Sequence, residues 1–135
     1  MALGNSSAFQ PPMGNNALPS GHKNSFTVTA GEAVGSPRLV TLVAGEAMLF
    51  DPAASIARTV LGITLNAAIL GDPVEIQTVG VVSGLSGLSA NAVYYGSALG
   101  VLTTTPPVNG VLQPVGIALS TTELLLNLDD PVVTI

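Results

Sequence analysis

Side chains able to do chemistry are few in this 135-residue chain. The acids are Glu32, Glu46, Asp51, Asp72, Glu75, Glu123, Asp129 and Asp130, the cations are Lys23, Arg38 and Arg58, His22 is the sole histidine, and cysteine is absent. Asp129-Asp130 ahead of Pro131 comes nearest to a hard-cation site. Calcium takes about six to eight oxygens, however, and two adjacent carboxylates are ordinarily a solvated turn. Asp72, within Gly71-Asp72-Pro73, fits a turn before a strand. A Ser-His-Asp triad would have to use His22, which lies in a segment without helical or strand periodicity. The glycine-rich Gly84-Leu-Ser-Gly-Leu-Ser89 lacks the lysine and the helix start of a phosphate cradle, so it reads as a loop. No nucleophile elbow, P-loop or histidine-based zinc pattern is present. Without cysteine, disulfides and thiolate metal sites are excluded. General acid–base catalysis needs a positioned cluster of titratable groups, and none is offered. The expectation is a protein that is not an enzyme and uses no cofactor or metal.

The elements that would position these side chains belong to an unusual composition. The chain is 47% hydrophobic but only 8% charged, with a formal charge of −5. Ordinary soluble domains have about a quarter charged residues. Disordered chains show the opposite bias, so a packed domain is expected. Gly, Pro, Asn, Ser or Thr interrupts every apolar run before the roughly 20 residues a spanning helix needs, so no membrane partner is expected. No basic region followed by an apolar stretch opens the sequence, so no secretory signal is expected. Three scattered cations do not make the clustered basic patch that nucleic acid requires.

Residues 1–25 are Gly, Asn, Pro and Ser with single apolar residues between them. Such a stretch is either a disordered tail or an arm that orders against a neighbour. In the second case Phe9, Met13 and Leu18 are its apolar anchors, with Ala8 and Ala17, and Pro11-Pro12 favours extended polyproline geometry. From residue 26 to 135 the chain is a series of short strand-like runs: Phe26–Thr29, Arg38–Val43, Ala47–Phe50, Thr59–Leu65, Val74–Val82, Ala92–Tyr95, Val101–Thr104, Val111–Leu119, Glu123–Leu128 and Val132–Ile135. Turn residues punctuate nearly every gap. This pattern predicts an all-β domain, a small β-barrel or β-sandwich. Asp51–Leu61, with a capping Asp and Pro52 in the first turn, is expected to form a single turn or a short helix.

Two repeated patterns, an uncharged stretch and a tyrosine pair stand out along the chain. Val60-Leu-Gly-Ile-Thr-Leu65 and Pro114-Val-Gly-Ile-Ala-Leu119 echo one another, each preceded by a short strand and followed by a closing one. The echo is either an internal repeat or a coincidence of abundant residues, and Gly62 and Gly116 predict a bulge or a close backbone approach. Ala-Gly-Glu-Ala also occurs twice, at Ala30–Ala33 and Ala44–Ala47, which predicts two loops of similar geometry. Between Glu75 and Glu123 there is no charged residue. The stretch is either a polar β surface or one buried between subunits, since interface cores are depleted of charge. Tyr94 and Tyr95 point to opposite faces of a strand, one expected in the core and the other at an interface. Tyr94, Tyr95 and Leu112 are the subunit-interface candidates of the β domain.

Gly87-Leu-Ser-Ala-Asn-Ala-Val-Tyr-Tyr95, Gly100-Val-Leu-Thr-Thr-Thr-Pro-Pro107, Gln113-Pro-Val-Gly-Ile-Ala-Leu-Ser120 and Thr122-Glu-Leu-Leu-Leu126 resemble a module of tailed-bacteriophage structural proteins. Ala30-Gly-Glu-Ala-Val34, Gly62-Ile63 and Gly71-Asp-Pro-Val-Glu-Ile76 look like the small β-barrel of phage capsid decoration (cement) proteins. The resemblance covers about residues 30–135. It implies a virion structural protein, a homotrimer on the capsid exterior that bridges major capsid proteins, with an N-terminal arm touching them. Phe9, Pro11, Pro12, Met13 and Leu18 match such an arm in position and composition. A head-fibre, tail-fibre or tail-adaptor component is the alternative.

Overall fold

The computed structural model describes residues 24–54, 58–108 and 110–134. The chain is all-β: twelve strands and a single 3-10 turn, Ala98–Gly100, with no α-helix among the described residues. Five strands close into a barrel in the order β1-β3-β2-β4-β5, namely β1 (Ser25–Ala30), β2 (Leu39–Val43), β3 (Glu46–Leu49), β4 (Gly62–Thr64) and β5 (Pro73–Gln77). All its pairings are antiparallel except β1 with β3. Five more strands form an open sheet in the order β6-β11-β10-β7-β8, namely β6 (Val79–Val82), β7 (Val93–Gly96), β8 (Leu102–Thr103), β10 (Pro114–Ala118) and β11 (Leu124–Asn127). A small ribbon pairs β9 (Gly110–Leu112) with β12 (Val132–Thr134).

Period-two patterning explains most strands. In β5 Val74 and Ile76 are buried while Pro73 is exposed, and in β11 Leu124 and Leu126 are buried while Leu125 and Asn127 are exposed. β2 departs from alternation because both its faces are covered. Val40 joins the barrel interior with Ala30, Ala47, Val74 and Ile76, whereas Leu39 points outward into a second core with Phe50, Ile63, Val115, Leu124 and Leu126. The outside of the barrel is thereby fused to the inner face of the open sheet. Burial of these apolar side chains, each worth roughly 1.5–3 kcal/mol, is the main force holding the two sheets together.

Two continuous strand-like runs are divided. Val74–Val82 breaks at Thr78, so that β5 completes the barrel and β6 begins the open sheet. Val111–Leu119 breaks at Gln113, between β9 and β10. Of the two forms expected at 51–61, the described residues take the single turn and not the helix. The Asp51 carboxylate instead accepts a hydrogen bond from the Ala53 N–H, and the Asp51 carbonyl accepts one from the Ala54 N–H, which makes a turn. Residues 55–57 of that expectation lie outside the described residues. The two Ala-Gly-Glu-Ala stretches also differ. Ala44 and Gly45 both take positive φ (52° and 82°) in the two-residue hairpin joining β2 to β3, whereas Ala30 ends β1 as a fully buried strand residue. A two-residue hairpin demands that left-handed pair and a strand end does not.

The two Gly-Ile strands share a local device. A β-carbon on Gly62 would collide with the Gln77 carbonyl oxygen, and one on Gly116 with the Leu125 carbonyl oxygen. Each strand therefore lies closer to its neighbour than any other residue would permit, and the pairing register shifts between Pro114 and Gly116. The strands around them are ordered differently: β4 lies between β2 and β5, and β10 lies between β7 and β11.

Candidate functional site

The titratable side chains are spread through the fold. Glu75 accepts a hydrogen bond from the Ser25 hydroxyl at 2.7 Å, Glu32 accepts the Leu49 N–H at 2.8 Å, and Asp129 accepts the N–H of Asp130 at 2.8 Å. These carboxylates stabilise backbone and neighbouring side chains. Among the described residues no three His, Asp or Glu side chains gather as a metal site, and no helix is long and apolar enough to cross a membrane.

What the structure does assemble is an apolar sheet face. Alternation sends Val79 and Val81 of β6, Leu125 and Asn127 of β11, Ile117 of β10, and Val93 and Tyr95 of β7 to the side of the open sheet away from the core. Register then places them in line. Val81 is opposite Leu125, Leu125 opposite Ile117, and Ile117 opposite Val93. This row of four aliphatic side chains crosses four strands and is 49%, 38%, 40% and 41% exposed, respectively. Beside it, Val79 faces Asn127, and Tyr95 faces Pro114 and Thr103. None of these residues is charged. A depression of about 410 Å³ lies on this face, and Val93, Ile117, Leu125, Asn127, Leu128 and Asp129 are among its lining residues.

Cross-strand neighbours lie about 5 Å apart, so the row is continuous. Single exposed aliphatics are ordinary on protein surfaces, whereas these four form one contiguous patch. The row itself carries no charge, and the Asp129 carboxylate lines the depression beside it.

The interface candidates divide on this geometry. Tyr94 packs in the core at 5% exposure, and its hydroxyl accepts a hydrogen bond from the Ser89 N–H at 2.8 Å. It has almost no area left for a subunit contact, so of the tyrosine pair only Tyr95, half-buried on the opposite face, borders the apolar row. Leu112, half-buried, lies on the separate β9–β12 ribbon. The arm candidates Phe9, Pro11, Pro12, Met13 and Leu18 lie outside the described residues. The row itself, Val81, Val93, Ile117 and Leu125, was not singled out from sequence. Its signals were the alternation in Val79-Gly-Val81 and Leu124-Leu-Leu-Asn127, and the absence of charge from residues 76–122. No protein-family model matches the chain, and no curated protein matches it at a significant level.

Proposed function

We propose that this protein is a non-enzymatic structural component of a virion, a decoration protein seated on the outside of a tailed-phage capsid. In this reading it acts as a homotrimer bridging major capsid proteins, with no cofactor and with neither nucleic acid nor membrane as partner. The observation that carries an assembly role is the uncharged row Val81–Leu125–Ile117–Val93 on the outer sheet face. The phage setting rests on the sequence resemblance of residues 30–135. Four strands at about 4.8 Å spacing and two residue rows make a patch of only a few hundred Å². A stable interface uses about 800 Å² per partner. Such a contact is weak alone and becomes firm through repetition, as threefold symmetry on a shell supplies.

The test is cosedimentation of purified protein with mature shells stripped of it, followed by cryo-electron microscopy of the pellet. Saturable binding with threefold density over the shell supports decoration. Density confined to one vertex or to the tail replaces it with a fibre or adaptor role. No binding removes the capsid reading.

A further inference from the structure

We propose that the depression between the β6–β7 loop and the start of β2 binds a carboxylate carried on a short apolar group, with the Arg38 guanidinium as its counter-ion. The inference lies outside the shell role and does not depend on it.

The depression has a volume of about 300 Å³, and Arg38, Leu85, Ser86, Gly87, Leu88 and Val101 are among its lining residues. It brings distant parts of the chain together. Arg38 immediately precedes β2, and residues 85–88 belong to the loop between β6 and β7. That loop carries the glycine-rich stretch 84–89, which contains no cation of its own. The fold supplies one in Arg38.

Each side is held in place. The Arg38 N–H donates to the Thr64 hydroxyl oxygen at 3.0 Å. In the loop, the Leu85 N–H donates to the Thr122 carbonyl at 3.0 Å, and the Leu88 N–H to the Thr121 carbonyl at 3.1 Å. Between these two ties, the N–H groups of Ser86 and Gly87 have no acceptor among the described residues. Gly84 and Gly87 take positive φ (81° and 73°), and a β-carbon at either would meet nothing within 4 Å. These glycines serve the path of the loop and not its packing.

Arg38 is the unusual member. It is half-buried, and its guanidinium donates to the Pro37 carbonyl at 2.9 Å. That bond uses one N–H and leaves the rest of the fork unused. No carboxylate pairs with it among the described residues, although acids outnumber Lys and Arg eight to three in the chain. Nor is any acid among the residues lining the depression. A guanidinium without a counter-ion favours an anion, and its planar fork matches a carboxylate or a phosphate.

The walls choose between the two. Leu85, Leu88 and Val101 give the depression an apolar side. A phosphate would pair with Arg38 and leave these side chains wet. A carboxylate bearing a branched aliphatic group pairs with Arg38 and also removes apolar surface from water. Ligand sites range over about 300–1,000 Å³, so this one, at the small end, suits a single residue-sized group and not a nucleotide.

The test titrates N-acetylleucine into the isotope-labelled full chain and follows its backbone amide and arginine side-chain N–H resonances by NMR. The expected result is saturable shifts at Ser86, Gly87 and Arg38. Arg38→Gln lowers the affinity about tenfold or more, the effect of losing a charge-assisted hydrogen bond, with the rest of the spectrum unchanged. N-acetylleucinamide, which keeps the apolar group and lacks the charge, is expected to bind the unaltered protein as weakly, so the test stands even if the variant does not fold. A blocked tripeptide ending in leucine separates the sources. Tighter binding than N-acetylleucine identifies a peptide terminus, and equal or weaker binding a small free acid. Inorganic phosphate that shifts the same resonances at lower concentration than N-acetylleucine overturns the carboxylate assignment. Equal binding of the acid and the amide, or no saturable shift with either, overturns the anion site altogether. Because the experiment uses isolated protein and small probes, a failure here leaves the shell-binding test standing, and the reverse also holds.

Discussion

The side-chain amide of Gln113 accepts a hydrogen bond from the backbone N–H of Val60 at 2.8 Å and donates one to the carbonyl of Asp129 at 3.0 Å. Gln113 is 3% exposed and stands at the break between β9 and β10. One residue thus ties the segment entering β4 of the barrel to the end of β11 of the open sheet. Replacing it by leucine keeps the volume but leaves a buried donor and an acceptor without their partner. Gln113→Leu is expected to cost about 1–3 kcal/mol, read as a lowered denaturation midpoint.

Phe50 and Gly96 set how closely the barrel meets the sheet. A β-carbon at position 96 would fall 2.7 Å from two atoms of the Phe50 ring. Gly96→Ala is expected to destabilise by about 1–3 kcal/mol through overpacking, and Phe50→Ala by about 3–5 kcal/mol through the cavity it leaves. The pair Gly96→Ala/Phe50→Leu should cost less than the sum of its single changes, because the smaller side chain relieves the clash. A double-mutant cycle by urea unfolding checks this, and strict additivity would count against the contact.

Thr64 is a buried polar residue whose hydroxyl is used twice. It donates to the Gly35 carbonyl at 2.7 Å and accepts the Arg38 N–H at 3.0 Å. Thr64→Val keeps the shape and loses both bonds, for an expected loss of about 1–3 kcal/mol. Thr64→Ser keeps both and loses one methyl, about 0.8 kcal/mol. Thermal unfolding of the two variants should rank serine above valine, and the reverse order would mean that packing outweighs the hydroxyl.

Gly62→Ala and Gly116→Ala test the shared close approach. Alanine normally improves a strand by about 0.5–1 kcal/mol over glycine. At these positions the sign should reverse, with a loss of at least about 1–3 kcal/mol, because the opposing atom is a backbone carbonyl that cannot swing aside. Stability measured by chemical denaturation decides it.

Val81→Lys and Ile117→Lys act on the exposed row. Both side chains have much of their surface in solvent, so each change should move stability by no more than about 0.5 kcal/mol. Their effect should appear in association. The double variant is expected to lose saturable binding to stripped shells while keeping the wild-type circular dichroism spectrum. Unchanged binding would show that the row is not the docking surface.

Much of the fold was legible before any coordinates. Ten strand-like runs, the turn residues between them and the all-β class follow from apolar alternation and β-branched content, which depend on near neighbours in the chain. Gly62 and Gly116 were readable as a bulge or a close approach for the same reason, and the structure shows the close approach at both. The candidate face was legible only as a region, the uncharged residues 76–122.

The tertiary structure decided the rest. Alternation states which residues of one strand share a face, but not which strand lies beside it. Nothing local in Val74–Val82 says that its first half closes a barrel and its second half opens another sheet. Leu39 and Val40 are both buried because different cores lie on either side of β2, a fact of packing. Tyr94 and Tyr95 are equivalent in sequence, and only the position of the barrel put Tyr94 inside. The row Val81–Leu125–Ile117–Val93 joins strands from separate parts of the chain, and hydrogen-bond register alone aligns them. A slip of one residue in any strand would turn its member of the row inward, so the face exists only once non-local pairing is complete.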